Sequence, residues 1–579
     1  MYIAGIDVGG TNTDAALIKD NEVVATGKVP TDHVNLVEST AAALETILGS
    51  YRGTEPLELH LSTTLSTNSI VEGRGDPALV LAVPGPGMRI EDLRLGFAVH
   101  QLSGSVDHRG REVAPIDREE VKAAMNAARE AGMEVLAVVG KFSHRNPSQE
   151  LTIEALAREG DYRFRHITLG HRLSGRPNFP RRLATSYLNA SVAGQQARFV
   201  EMVRRLMLEG RNIGKVYLLK ADGGTMTLED SLVRPVETIL SGPAASLMGA
   251  RALSNHQEGN AIIVDIGGTT TDMAVQAAGE PVFQPQGAEI AGHRTLVPAL
   301  FVRSIGLGGD SEIRVLCRRE NGQTSRQLVI GPKRAGIPAA LGGSRPTPTD
   351  AAVVLGMTSV GDVHRARKAV AELAGALGIG VEETARKIID GFVRQLVEAV
   401  EDIYQYLESR PVYTVSELLA PRDIRPRVLI GLGGPAQVFI PLAARAMGID
   451  WEVLPYHEEA NAIGAAASRP TAAVTYHADT ALGVAAVPEM DYTGEIQKAM
   501  LFDIRKAREE ARRWAIEKGK ELGVLDPDDI AIVEEESFNV VRGFYTIGRI
   551  FTIRAQVRPQ VRRIVPGAER GEPNAVQQS

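Results

Sequence analysis

The residues best suited to chemistry stand in a nine-residue stretch, IDVGGTNTD, Ile6 to Asp14. An apolar run delivers a carboxylate, Asp7, then the pair Gly9 and Gly10, then the short polar side chains of Thr11, Asn12 and Thr13. Glycines let backbone N–H groups close on anionic oxygens with no Cβ in the way, which makes a concavity for phosphate. The hydroxyls of Thr11 and Thr13 add donors. A carboxylate cannot face phosphate bare, so Asp7 implies a bridging cation, and magnesium held through water suits such a site. One copy is also what a plain hairpin turn looks like, but the chain writes the stretch twice. VDIGGTTTD, Val264 to Asp272, begins 258 residues later, and IDVGGTNTDAAL agrees with VDIGGTTTDMAV at seven of twelve positions. Such a repeat is the mark of a duplicated fold reusing one device. Asp265, Gly267, Gly268, Thr269, Thr270 and Thr271 then mirror the first loop, and the two loops are expected to grip one nucleotide from both sides.

A third glycine cluster, VLIGLGGPAQVFIPLAARAMG (428–448), follows an apolar strand and opens a helix; Gly431, Gly433 and Gly434 would admit a flat adenine–ribose group, though a simple strand-to-helix turn reads the same. The GxxxxGK[ST] loop is absent, and no GxGxxG with a ribose-binding acid follows the first strand, which disfavours the other common phosphate sites. Thr63, Thr64, Thr67 and Asn68 form a polar cluster before a helical stretch, read either as a substrate-facing surface or as capping hydroxyls. His144 sits at a strand end, where ligands are often met, yet reads first as a solvated loop histidine. The twelve histidines show no paired metal spacing. Cys317, the single cysteine, excludes an intramolecular disulfide framework and is expected to be a small buried hydrophobe.

The elements that must position these residues alternate. EVLAVVGKF (134–142), KVYLLKA (215–221), NAIIVDI (260–266) and RVLIGLG (427–433) read as strands. LVESTAAALETIL (36–48), REEVKAAMNAAREAG (118–132) and the amphipathic run within 363–407 read as helices, so the class is α/β. With 579 residues the chain exceeds one core. The expected units are 1–255, 256–475 and a C-terminal α+β region, 476–579. The last comprises a charged helix near 498–523, a β-rich run 538–557, and a loose tail from 558 that carries Arg562, Arg563 and Arg570. A net charge of -7 argues against a nucleic-acid partner. No basic-then-apolar leader and no apolar run of roughly 18 residues is found, so a cytoplasmic protein without a membrane partner is expected.

With both loops and the glycine-rich segment in order, the chain resembles the acetate and sugar kinase, chaperone and actin superfamily, and within it the hydantoinase/oxoprolinase A-type subunits. The likeness runs from the first strand to about residue 470. It also rests on LSTTLSTNSIVEGRG (61–75), KADGGTMTLEDSLVRPVETILSGPAASLMGA (220–250), SIGLGGDSEIRV (304–315), RPTPTDAAVVLG (345–356) and EEANAIGAAAS (458–468). The resemblance implies duplicated ribonuclease-H-like lobes around a nucleotide cleft, with ATP and magnesium as cofactors. It also implies phosphorylation of a cyclic amide such as a hydantoin, 5-oxoproline or a lactam, and a B-type partner subunit or a homo-oligomer. Asp7 and Asp265 would be the catalytic, metal-holding pair. Gly9, Gly10, Thr11, Asn12, Thr13, Gly267, Gly268, Thr269, Thr270, Gly308, Gly309, Gly433 and Gly434 would hold ATP, and Thr63, Thr64 and Asn68 would face the substrate. Two departures set the chain apart from longer members: Phe301 and Arg303 replace an Asp-x-His pattern, and PAALGG (338–343) stands where Pro-Ala-Cys-Tyr-Gly is usual. Other readings are a small-molecule kinase, an acetone-carboxylase-type subunit, or a non-enzymatic nucleotide-switched ATPase. For the last, one cysteine is too few thiolates for an iron–sulfur cluster.

Overall fold

The computed structural model describes residues 1–32, 36–208, 212–284, 286–320, 323–409, 423–521 and 530–565. The first strand, β1 (Tyr2–Val8), is apolar and buried along its length after Tyr2, as a central strand covered on both faces must be. It pairs antiparallel with β2 (Asn12–Lys19), which pairs antiparallel with β3 (Glu22–Pro30). On its other side β1 runs parallel to β4 (Leu57–Thr63), and β4 parallel to β5 (Ile213–Leu219). With β6 (Thr225–Thr227) the sheet order is β6-β5-β4-β1-β2-β3.

The second lobe is built alike. Its strand β7 (Ala261–Ile266) pairs antiparallel with β8 (Thr271–Ala277), and β8 pairs antiparallel with both β9 (Glu280–Pro281) and β10 (Val302–Ile305). On the far side β7 runs parallel to β11 (Val428–Leu432), which runs parallel to β12 (Asp450–Val453). Two sheets with one order and one set of directions are the duplicated ribonuclease-H-like lobes that the repeat predicts.

The helices that matter for the cleft are α1 (Leu65–Val71), α2 (Ser241–Leu253), α3 (Ala436–Met447) and α4 (Ala460–Ala467). A core cluster joins Ile3, Ala16 and Ile18 of the first sheet to Ile263, Ile430 and Leu432 of the second through Ala245, Leu247, Ile463 and Ala466. The lobes thus share apolar packing beneath the cleft. Between β4 and β5 the chain inserts a four-stranded sheet of Ala78–Val83, His100–Gln101, Val135–Gly140 and His166–Leu169.

The C-terminal sheet has the order β15-β14-β13-β17-β16, from β13 (Ala473–Asp479), β14 (Val484–Val487), β15 (Tyr492–Glu495), β16 (Ile530–Arg542) and β17 (Tyr545–Val557). The charged helix α5 (Ile504–Glu521) buries Ala507, Ala511, Trp514 and Ala515 against Phe551 and Ile553 of that sheet. The sheet and its turns dock on the insert through Arg109–Asp479 and His171–Asp491 ion pairs and through Arg176–Glu534.

Residues 558–565 depart from the expectation of a loose tail. Arg562 and Ile564 donate backbone hydrogen bonds to Ala467 and Ala252 at the ends of α4 and α2, and Ile564 is buried in the core between the lobes. Residues 566–579, with Arg570, lie outside the described residues. Cys317 is exposed on the hairpin Ser311–Glu320 and Gln323–Arg334, not buried as expected. Among the described residues no helix is long and apolar enough to cross a membrane.

Candidate active site

The two Asp-Gly-Gly stretches are hairpins of one geometry. Val8 pairs with Thr13 and Ile266 with Thr271, and each turn closes in the same way. The Gly9 amide donates to the Asn12 carbonyl at 3.1 Å, and the Gly267 amide to the Thr270 carbonyl at 2.9 Å. Both turns line a single cleft of about 640 Å³. Asp7, Gly9, Gly10, Thr11 and Asn12 enter it from one side; Asp265, Gly267, Gly268, Thr269 and Thr270 from the other; Gly433 and Gly434 from the start of α3. Gly433 has φ +89°, and a Cβ there would stand 2.2 Å from the Ile266 carbonyl oxygen, so only glycine lets this segment lie against the second hairpin.

Some expected residues stand elsewhere. Thr13 is fully buried with its hydroxyl 2.9 Å from that of Thr31, and Thr271 donates to the Leu307 carbonyl at 2.6 Å. Strand alternation explains both: if Asp14 and Asp272 face the cleft, the preceding threonines face away. Gly308 and Gly309 lie behind the second turn. The Gly309 amide donates to the Gly267 carbonyl at 3.0 Å, and a Cβ on Gly308 would meet the Gly268 carbonyl at 2.5 Å, so these glycines brace the loop instead of lining the cleft. Thr63 is buried and accepts the Leu65 amide at 3.2 Å, a capping role. Thr64 does line the cleft, its hydroxyl donating to the Val8 carbonyl at 3.3 Å. Asn68 falls in α1, with its side chain outside the described residues. His144, expected on a solvated loop, is buried with Nδ1 unpartnered and its ring 5.3 Å from that of His477; burial, with Arg182 nearby, holds it neutral. Phe301 and Arg303 both pack on Tyr406, as a stacked ring and a cation over its face.

The sequence reading passed over several residues of the cleft. Asp14 and Asp272 sit directly across from Asp7 and Asp265 in the hairpin registers, and both were visible as identities of the repeat. Lys28 and Glu458 also line the cleft, with Arg334 and Asp310. A helix pair completes the floor. Ser246 of α2 donates to Asp265 Oδ2 at 2.7 Å; the Asn461 amide of α4 donates to the same oxygen at 3.2 Å and reaches Asp7 Oδ2 at 3.5 Å. Three residues beyond each, Gly249 and Gly464 bring the helices together: a Cβ on Gly249 would stand 2.1 Å from the Ala460 carbonyl, and one on Gly464 2.2 Å from that of Ala245.

Four carboxylates in one cleft titrate high. Burial pushes Asp7 up to about 6, with Asp265 adding to it. Burial also takes Asp14 to about 7, against the pull of Lys28, and Asp272 to about 6, against a hydrogen bond from Ser304. Asp265 is raised by burial despite Ser246 and Asn461. Among the described residues no three His, Cys, Asp or Glu side chains converge closely enough to hold a metal directly. Asp7 Oδ1 and Asn461 Oδ1 are buried without a donor, which suits a hydrated cation whose waters supply the missing hydrogen bonds.

Comparison with known proteins places this geometry. The family model described as "Hydantoinase/oxoprolinase" matches residues 182–474, and the one for the "Hydantoinase/oxoprolinase N-terminal region" matches residues 3–160. Caprolactamase subunit alpha of Pseudomonas jessenii is 25% identical over 79% of this chain and 68% of its own length. The acetophenone carboxylase gamma subunit of Aromatoleum aromaticum is 26% identical over 66% of this chain; the match spans 59% of that protein, less than two thirds of it. The solved ATP-dependent caprolactamase from Pseudomonas jessenii superposes with a TM-score of 0.70 over 99% of this chain and 90% of its own, at 20% identity, which establishes a shared fold.

Proposed function

The chain belongs to the hydantoinase/oxoprolinase family, and from that premise we propose that it uses ATP to activate a cyclic amide for ring opening. The observation that carries the reading is the convergence of both Asp-Gly-Gly hairpins and of Gly433–Gly434 on one cleft. The glycine turns present backbone N–H groups to the phosphates, and Thr11 and Thr269 add hydroxyls. Asp7 and Asp265, with Asp14 and Asp272 beside them, would hold magnesium through its waters. The ion, when bound, neutralises phosphate charge. Phosphoryl transfer asks for positioning and electrostatics more than for covalent help from the protein. The amide oxygen attacks the terminal phosphorus, ADP leaves, and the O-phosphorylated amide is open to water. Addition of water and cleavage of the ring C–N bond leave an acyl phosphate, and a second water hydrolyses it to the opened acid and free phosphate.

The cleft supplies the first of these steps; for the second we assign a B-type partner subunit. Caprolactamase alpha and acetophenone carboxylase gamma are themselves named as subunits. The test is to incubate the purified chain with ATP, magnesium and a panel of hydantoins, 5-oxoproline and lactams, with and without the partner. Amide-dependent ADP release, with opened product only when the partner is present, is expected. Release that ignores every amide refutes the reading. The acetophenone carboxylase relative supports a second one, activation for carboxylation, which would show as ADP release dependent on a ketone and bicarbonate.

A further inference from the structure

The two hairpins belong to longer rows, and the rows differ at one place. Across the first sheet, Asp7 on β1 stands opposite Asp14 on β2, and Asp14 opposite Lys28 on β3. Across the second, Asp265 on β7 stands opposite Asp272 on β8, and Asp272 opposite Ser304 on β10. Residues directly opposed in antiparallel strands share a face of the sheet. The duplicated rows therefore match carboxylate for carboxylate and part at the third strand, lysine in one lobe and serine in the other.

Among the described residues lining the cleft, six are acidic and two are cationic, Lys28 and Arg334. Arg334 is anchored: Nε and Nη2 both donate to Asp310 Oδ2, at 3.2 and 2.8 Å, and the Asp310 amide is bound to the Gly268 carbonyl. Lys28 is held differently. Its Nζ lies 3.5 Å from Asp14 Oδ1 and 3.0 Å from Oε2 of Glu458, a side chain 49% exposed. Partly exposed ion pairs of this kind are weak and exchange readily for a stronger anion. Gly433 packs against the second hairpin, so a nucleoside seated beside it would put its inner phosphates by the second lobe and leave the terminal one to reach the first.

We propose that Lys28 is the phosphate-binding residue that meets the terminal phosphoryl group of the nucleotide, exchanging Glu458 for it on binding. This rests on the nucleotide reading above. An ammonium at that end stabilises the phosphoryl group and contributes nothing to a nucleotide that lacks it.

The test is calorimetric titration of ATP and of ADP, each with magnesium, into the full chain and its Lys28→Met, Lys28→Arg and Glu458→Gln variants. For Lys28→Met, ATP affinity should fall at least ~20-fold and ADP affinity by less than about threefold, with Lys28→Arg recovering most of the loss. Glu458→Gln should bind ATP as well as the unaltered chain or better. Equal losses for ATP and ADP, or none for ATP, overturn the inference, as does a Glu458→Gln variant that loses ATP affinity as Lys28→Met does. Were Lys28→Met not to fold, Lys28→Gln takes its place: a threefold or larger loss of the ATP-over-ADP preference supports the inference, and an unchanged preference overturns it. If the unaltered chain binds neither nucleotide, the functional reading itself falls, and this inference with it.

Discussion

Asp7, Asp14 and Asp272 are acids that the folded chain makes weaker, which fixes how the cleft responds to pH. Their folded values lie above the unfolded 3.8, so between about 4 and 7 the folded state binds more protons than the unfolded one, and stability falls as pH rises through that window. A cation wants these groups ionised, so its affinity should move the other way. Differential scanning at pH 5.5 and pH 8 should show magnesium raising the melting temperature of the nucleotide-bound chain far more at the higher pH. Asp14→Asn removes a charge that burial opposes and should raise the melting temperature of the nucleotide-free chain at pH 8, by on the order of 1 kcal/mol of stability. Asp7→Asn and Asp265→Asn should each lower ATP turnover by roughly 100-fold or more while leaving the melting curve intact or improved, because on the proposed reading their charges hold the cation and burial opposes both. Asp7 and Asp265 were legible in the sequence because each ends an apolar run at a glycine pair. Lys28, Ser246 and Asn461 were not, since sheet register and helix crossing bring them to the cleft from distant segments with no local signature.

At the scale of elements, the repeated hairpin predicted two like lobes, and the two sheets do close alike around it. Its limits were equally physical. Alternation along β2 and β8 turns Thr13 and Thr271 inward, and the SIGLGGD segment spends its backbone donors on the second turn. The C-terminal hairpin presents an apolar surface: Phe538, Val541, Phe544 and Tyr545 near its tip are 58–101% exposed, beyond the stretch of β17 paired with β13. A two-stranded ribbon is marginal in water without cover, so under the two-subunit reading its tip is the expected contact. Phe544→Ser with Tyr545→Ser should leave amide-dependent ADP release within about twofold while abolishing partner-dependent product formation; unchanged product formation would remove the hairpin from the interface. The α2–α4 contact is tight enough that Gly464→Val should cost about 3 kcal/mol or more, seen as a lower denaturant midpoint.

At the scale of the whole molecule, two like lobes share apolar packing beneath one cleft, and ligand linkage follows from that arrangement. Adding ATP and magnesium at about 100 times the dissociation constant should stabilise the chain by about 2.7 kcal/mol, read as a rise in melting temperature. The helix pair beneath the cleft has a mechanical consequence. Ser246 and Asn461 sit one turn from the glycines at which α2 and α4 touch backbone to backbone. A pivot with no side chains in it is a bearing of nearly zero radius. Were the lobes to swing about it, points near the axis would travel little and points at the rim would travel far. Asp265, held by Ser246 and Asn461, lies within a turn of that pivot, whereas Ile337 and Leu341 line the cleft with more than half of their surface exposed. Opening wide enough to exchange ADP for ATP would then leave the charged floor assembled, so each turnover would begin with its acid constellation already in register.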